Sequence, residues 1–84
     1  MKPVTIYTTG SCPYCIMAKR FLDKKEVTYT EIRVDHETTK RAEMESRSQR
    51  TSVPQIFIEN IHVGGFDDMQ ELAFDGELDK LLQD

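Results

Sequence analysis

The stretch Val4-Thr5-Ile6-Tyr7-Thr8-Thr9-Gly10-Ser11-Cys12-Pro13-Tyr14-Cys15 decides how the rest of the chain is read. Residues 3–8 predict a strand, with Val4 and Ile6 on one face and Thr5 and Tyr7 on the other. Residues 9–12 predict a turn in which Gly10 supplies backbone freedom and either Ser11 or Cys12 caps the next element. From Ile16 to Lys25 the spacing predicts a helix, with Ile16, Ala18, Phe21 and Leu22 as its apolar stripe. Pro13 falls in the first turn, where a helix tolerates proline. The two cysteines therefore sit at a strand-to-helix turn, with Cys12 at or beside the helix N-terminus. Unpaired backbone N–H groups and the positive end of the helix dipole favour a thiolate there. A thiolate is the nucleophile of disulfide exchange, so the pair reads as a dithiol–disulfide redox site.

Composition supports a small soluble unit. The 84 residues fit one domain, 1–84, and the 38% hydrophobic and 31% charged content is that of a globular protein. No apolar run approaches the roughly 18 residues of a membrane span, and Met1-Lys2-Pro3-Val4 carries no signal-peptide apolar region. The expectation is a cytoplasmic chain, where two close cysteines serve catalysis, redox sensing or metal binding rather than structural stapling. A net charge of −4 argues against nucleic acid as the main partner. The charge is uneven. Lys19, Arg20, Lys24 and Lys25 face one acid, Asp23, over residues 17–25, whereas residues 61–84 hold seven acids and a single lysine, Lys80. Two solvated helix faces explain this. The sharper alternative is that the cations support the thiolate and recruit acidic partners.

The remaining elements come in order. Val27 to Val34 predicts a second strand, beta-rich with imperfect alternation. Asp35 reads as an N-cap to a polar helix from Glu37 to about Ser48, expected to be mostly exposed and weakly anchored because Ala42 and Met44 are nearly its only apolar residues. Gln55 to Glu59 and Ile61 to Val63 predict an antiparallel hairpin turning at Glu59-Asn60. Gly64-Gly65 ends it. Phe66 opens a helix to about Phe74 with Met69, Leu72 and Ala73 inward, and Gly76 separates it from a last short helix, Glu77 to Leu82. The order is β-α-β-α-β-β-α with a C-terminal helical turn. Its first half implies a parallel pair joined by a right-handed crossover.

This order, with Cys-x-x-Cys after the first strand and Val-Pro before the third, resembles the thioredoxin-like layout: an α/β fold with a four-stranded mixed sheet flanked by helices. Three blocks narrow the likeness: Cys12-Pro13-Tyr14-Cys15; Arg50-Thr51-Ser52-Val53-Pro54-Gln55-Ile56-Phe57-Ile58; and Gly64-Gly65-Phe66-Asp67-Asp68. Together they resemble a dithiol glutaredoxin of the short bacterial kind, over Ile6 to Leu82. The resemblance implies an enzyme, a glutathione-dependent thiol–disulfide oxidoreductase that reduces protein disulfides and glutathione mixed disulfides. It implies glutathione as co-substrate with no tightly bound cofactor and no metal. The expected partners are glutathione and disulfide-containing or glutathionylated proteins, acted on by a monomer away from nucleic acid and membrane.

Each block has a physical reading. Cys12, nearer the exposed end of the helix, is the expected nucleophile; Cys15, one turn inward, is the expected resolving thiol. Tyr14 offers a surface for substrate. The Val53-Pro54 bond is a candidate for the cis isomer, and the resemblance implies that it is cis and faces the cysteines. Val53 would then pair through its backbone with an extended substrate, beside Ser52. Gly65 and the N-terminus of the helix opened by Phe66 suit a carboxylate, and the resemblance puts the γ-glutamyl end of glutathione there, with Asp67 or Asp68 meeting its amine. Taken alone, those aspartates read as ordinary helix caps. One departure from the family is Thr9, where relatives usually carry a lysine that holds the glycyl carboxylate. Arg41 is the candidate replacement. Another is Phe66, where a third cysteine is frequent.

Other readings compete. One is a glutathione-binding sensor without turnover, which only kinetics separates from an enzyme. Another is an iron–sulfur cluster bridging two chains, which Pro13 disfavours. A thioredoxin-reductase-dependent redoxin would share the layout, but Asp67-Asp68 count against it. A structural zinc site needs four ligands, and only Cys12, Cys15, His36 and His62 are available.

Overall fold

A computed structural model describes residues 1–84. The elements are β1 (Val4–Thr8), α1 (Pro13–Lys24), β2 (Tyr29–Arg33), α2 (Thr38–Ser48), β3 (Gln55–Ile58), β4 (Ile61–Gly64), α3 (Phe66–Phe74) and α4 (Glu77–Leu82). The strands form one sheet in the order β2-β1-β3-β4. β1 runs parallel to β2, and β3 is antiparallel to both β1 and β4. This is the thioredoxin-like α/β arrangement, with a four-stranded mixed sheet between helices.

Strand alternation divides the core in two. Val4 and Ile6 of β1, with Ile56 and Ile58 of β3, pack against Ala18 and Leu22 of α1, Phe66 and Met69 of α3, and Leu78 and Leu82 of α4. The intervening residues, Tyr7 and Phe57, pack with Val34 and with Met44 of α2. Each fully buried side chain of this size stabilises the fold by roughly 1.5–3 kcal/mol relative to exposure. The sheet is thereby fixed between helices, and the ends of β1 and β3 that lead to the cysteines and to Pro54 are held side by side through the Tyr7–Gln55 pairing.

Several local expectations are corrected. Ile16 does not belong to the buried stripe of α1: it is exposed, and Cys15 takes its place beside Ala18 and Leu22. Asp35 does not cap α2. The N-cap position is Glu37, which makes no side-chain cap, while Asp35 is held by Arg33 and by the Gly10 N–H. The second strand is shorter than Val27 to Val34, because the Val27 N–H is taken by the Leu22 carbonyl at the end of α1. Finally, α2 is anchored more firmly than its composition implied. Ala42 is exposed, but Met44 is fully buried, and the Tyr7 hydroxyl donates to Glu43 (2.5 Å) and accepts from Arg47 (2.9 Å). The Arg47 guanidinium also lies 4.0 Å from the centre of the Phe57 ring. One long cationic side chain thus packs over a core aromatic, a contact composition does not count.

Candidate active site

Cys12 is the N-cap of α1. Its backbone is extended (φ −91°, ψ 112°), and its Sγ accepts the Cys15 N–H at 3.2 Å. Of the two capping candidates, Ser11 and Cys12, the cysteine fills the role. A sulfur thus stands where a serine or aspartate oxygen usually satisfies a free helix N–H. Pro13 occupies the first helical position, where no N–H is needed.

The two thiols differ in environment. Cys12 is half-buried and Cys15 is fully buried. Burial pushes the Cys15 thiol up to about 12, and its hydrogen bond with Cys12 acts in the same sense; a Thr9 backbone hydrogen bond and the Lys19 charge oppose them. Desolvation disfavours the charged form, so Cys15 is a thiol at neutral pH. Only Cys12 has direct access to solvent.

The second wall of the site comes from the start of β3. The Val53-Pro54 bond is cis, and the Cys12 thiol donates to the Val53 carbonyl across 3.6 Å. Pro54 is buried and Val53 half-buried. The third wall is the β4–α3 junction. Gly64 has a φ of 112°, a left-handed value suited to glycine, and a β-carbon there would run into the Asp68 carboxylate. That carboxylate accepts the Gly65 N–H at 2.9 Å and pairs with Arg50 at 2.9 Å. Arg50, aided by the Gly65 N–H, holds Asp68 below the usual carboxylate range against the opposing cost of burial.

Between these walls runs a groove of about 250 Å3, lined by Tyr14, Ser52, Val53, Pro54, Gly65, Phe66, Asp67 and Asp68. The structure so brings together the three separated sequence blocks. The Tyr14 ring stands 6.4 Å from that of Phe66, and Tyr14 is 56% exposed, leaving its face free. Arg41 is not among the lining residues. Its guanidinium donates to the Thr51 carbonyl at 3.1 Å and approaches Glu45 at 3.6 Å. A larger open cleft of about 600 Å3, between His62 and Asp75, contains neither cysteine. No group of three or more His, Cys, Asp or Glu side chains is placed to hold a metal ion, and His62 instead bonds to Gln55 at 2.7 Å.

Sequence reasoning missed two partners. Arg50 lies eighteen residues from Asp68, and no spacing rule links them. Gln55 is a fully buried amide in an otherwise apolar strand, and that anomaly was its one available signal.

A half-buried cysteine capping a helix, a buried second cysteine one turn inward and a cis-proline loop on a thioredoxin-like sheet together define a thiol–disulfide oxidoreductase. The glutaredoxin family model matches residues 4–63. The chain is 54% identical to glutaredoxin 1 of Rickettsia typhi over 82 residues, covering 95% of this chain and 79% of that one. It is 49% identical to glutaredoxin 3 of Escherichia coli over 83 residues, covering 99% and 100%. Among solved structures, the buckwheat glutaredoxin–glutathione complex superposes with a TM-score of 0.87 at 28% identity, covering 96% of this chain and 76% of that one. The chain belongs to the glutaredoxin family, whose members are glutathione-dependent thiol oxidoreductases.

Proposed function

We propose that this chain, acting as one monomeric domain over residues 1–84, uses glutathione to reduce protein disulfides and glutathione mixed disulfides through Cys12 and Cys15. The observation that carries this reading is the groove of about 250 Å3 that opens beside the Cys12–Val53 contact and joins Tyr14, the Ser52–Pro54 loop and the start of α3. The likeness to a buckwheat relative solved as a glutathione complex supports it.

The Cys12 thiolate attacks one sulfur of a disulfide. A new S–S bond forms, the old one breaks, and the departing thiolate takes up a proton. With a glutathionylated protein, Cys12 attacks the glutathione sulfur and releases the protein thiol. A second glutathione thiolate then attacks that sulfur, giving glutathione disulfide and free Cys12. With a protein disulfide, Cys15 gives its proton to the leaving thiolate and attacks the Cys12 sulfur. The resulting Cys12–Cys15 disulfide is reduced by two glutathiones. The raised Cys15 thiol suits this order, since it stays protonated until a mixed disulfide has formed at Cys12.

In the groove, the γ-glutamyl carboxylate meets the backbone N–H groups at the start of α3 and its amine meets Asp67 or Asp68. The cysteinyl segment pairs with the Val53 backbone beside Ser52 and Pro54, with Tyr14 and Phe66 as apolar walls. Arg41, tethered to the Thr51 carbonyl, brings a cation to the same loop for the glycyl carboxylate. No helix is long and apolar enough to cross a membrane, and the two free thiols suit action in a reducing cytoplasm.

The test is reduction of a small glutathione mixed disulfide, coupled either to glutathione with glutathione reductase or to thioredoxin reductase. Turnover with the first system and none with the second is expected. The reverse pattern would overturn the reading in favour of a thioredoxin-reductase-dependent redoxin.

A further inference from the structure

Gln55 directly follows Pro54 and is fully buried. Its side-chain Nε2 lies 3.0 Å from the Ser52 carbonyl and 3.3 Å from the Ser52 hydroxyl. A backbone carbonyl only accepts, so the amide nitrogen must face Ser52 and the amide oxygen must face away. That oxygen lies 2.7 Å from His62 Nε2. It too only accepts, so His62 Nε2 must carry a proton. The chain of donors is fixed in one direction, from His62 to Gln55 to Ser52.

The ring itself is held. It packs on Phe57 at 4.9 Å between centres with a 31° tilt, and Phe57 in turn lies under Arg47. Burial, with the charges of Arg50 and Arg47, keeps His62 below the ordinary histidine range, with Asp68 opposing. A neutral ring carries one N–H, and the bond to Gln55 assigns it to Nε2. His62 also stands on β4 just before Gly64-Gly65, so the relay ties the proline loop to the strand that delivers the opposite wall of the groove.

We infer that Gln55 and His62 are positioning residues, which turn the Ser52 carbonyl inward and so fix the Val53 backbone at the distance from Cys12 that a bound substrate needs. This rests on the glutathione reading of the groove above. Neither side chain lines the groove. Their effect passes through Ser52, whose carbonyl would otherwise be free to rotate and carry the next peptide with it.

The experiment uses the full chain with His62→Phe and His62→Gln. Phenylalanine keeps a flat ring on Phe57 and removes the donor; glutamine returns an N–H near the Nε2 position. With a glutathionylated peptide as substrate, His62→Phe is expected to raise KM roughly fivefold, the size of one lost hydrogen bond, with kcat nearly unchanged. His62→Gln is expected to recover most of that loss. The nitrogen-15 shifts of the His62 ring should report the Nε2–H tautomer in the native protein. An unchanged KM in His62→Phe, a loss confined to kcat, no recovery by His62→Gln or an Nδ1–H tautomer would each overturn the inference. Failure of the parent reading looks different, since it removes glutathione turnover from the native chain itself.

Discussion

The Cys12 sulfur lies 3.6 Å from the Val53 carbonyl oxygen, and the same sulfur accepts the Cys15 N–H at 3.2 Å. One atom therefore joins the helix start to the proline loop. The two cysteines nevertheless face different surroundings, because Cys12 looks into this junction and Cys15 into the core.

Selective alkylation is the direct consequence of that difference. Iodoacetamide at pH 7 to 8 is expected to add one label, on Cys12, in the native protein and two after unfolding. Cys15 is fully buried and its thiol is pushed up to about 12. Its proton is held more tightly in the folded state, so its contribution to stability is complete below the ordinary thiol value and disappears as pH rises toward 12. Peptide mass mapping checks the result; equal labelling of both cysteines in the native state would contradict it.

The stability of the chain in acid depends on paired carboxylates. Glu31 is held low first by the Thr8 hydroxyl, Glu43 by the Tyr7 hydroxyl and Asp68 by Arg50. Each native value lies below the unfolded one, so the stabilisation is present above the ordinary carboxylate range and is lost as pH falls through the native values. Urea midpoints should decline gently from pH 7 to about 5, because the unfolded chain protonates His62 while burial keeps the native ring neutral. They should fall more steeply below about 4 as the carboxylates titrate. Asp68→Asn should make that fall shallower. The same slope in the variant would remove Asp68 from the explanation.

Substituting Asp68 also bears on the groove. Asp68→Ala removes both the acceptor for the Gly65 N–H and the partner of Arg50. The loss of a helix cap predicts about 1 kcal/mol of destabilisation. The kinetic expectation is a higher KM for glutathionylated substrate with a smaller change in kcat. A stability loss without any KM change would make Asp68 a cap alone.

The second helix provides a packing test. Met44→Ala should cost about 2–5 kcal/mol, because the side chain is fully buried among Tyr7, Val34 and Phe57. Ala42→Ser, on the exposed face, should change stability by less than about 0.5 kcal/mol. Chemical denaturation of both variants measures the contrast. Equal effects would mean that α2 is not fixed by Met44.

The order of elements was legible because each rests on local signals: alternation in Val4–Thr8, Pro13 beside a helix start, and glycines at 64 and 65. The groove was legible only through the resemblance of three blocks, since no local rule draws Val53 toward Cys12. Helix ends were harder. Glu26 and Gln49 take left-handed conformations (φ 59° and 60°) at the ends of α1 and α2, with no glycine to mark them. Ile16 looked apolar enough for the core, yet the helix turns it to solvent and gives the buried position to Cys15. Asp35 looked like a cap because nothing local announces its pairing with Arg33 and Gly10. The firm seating of α2 depends on Arg47 and Glu43 reaching Tyr7, forty and thirty-six residues away. Composition sees only charge at those positions.

The most direct measurement is glutathione-dependent turnover of a glutathionylated peptide and of a protein disulfide by Cys12→Ser and Cys15→Ser. Cys12→Ser is expected to lose both activities. Cys15→Ser is expected to keep deglutathionylation and lose most of its protein disulfide reduction. Deglutathionylation that survives Cys12→Ser, or disappears in Cys15→Ser, would contradict Cys12 as the attacking sulfur.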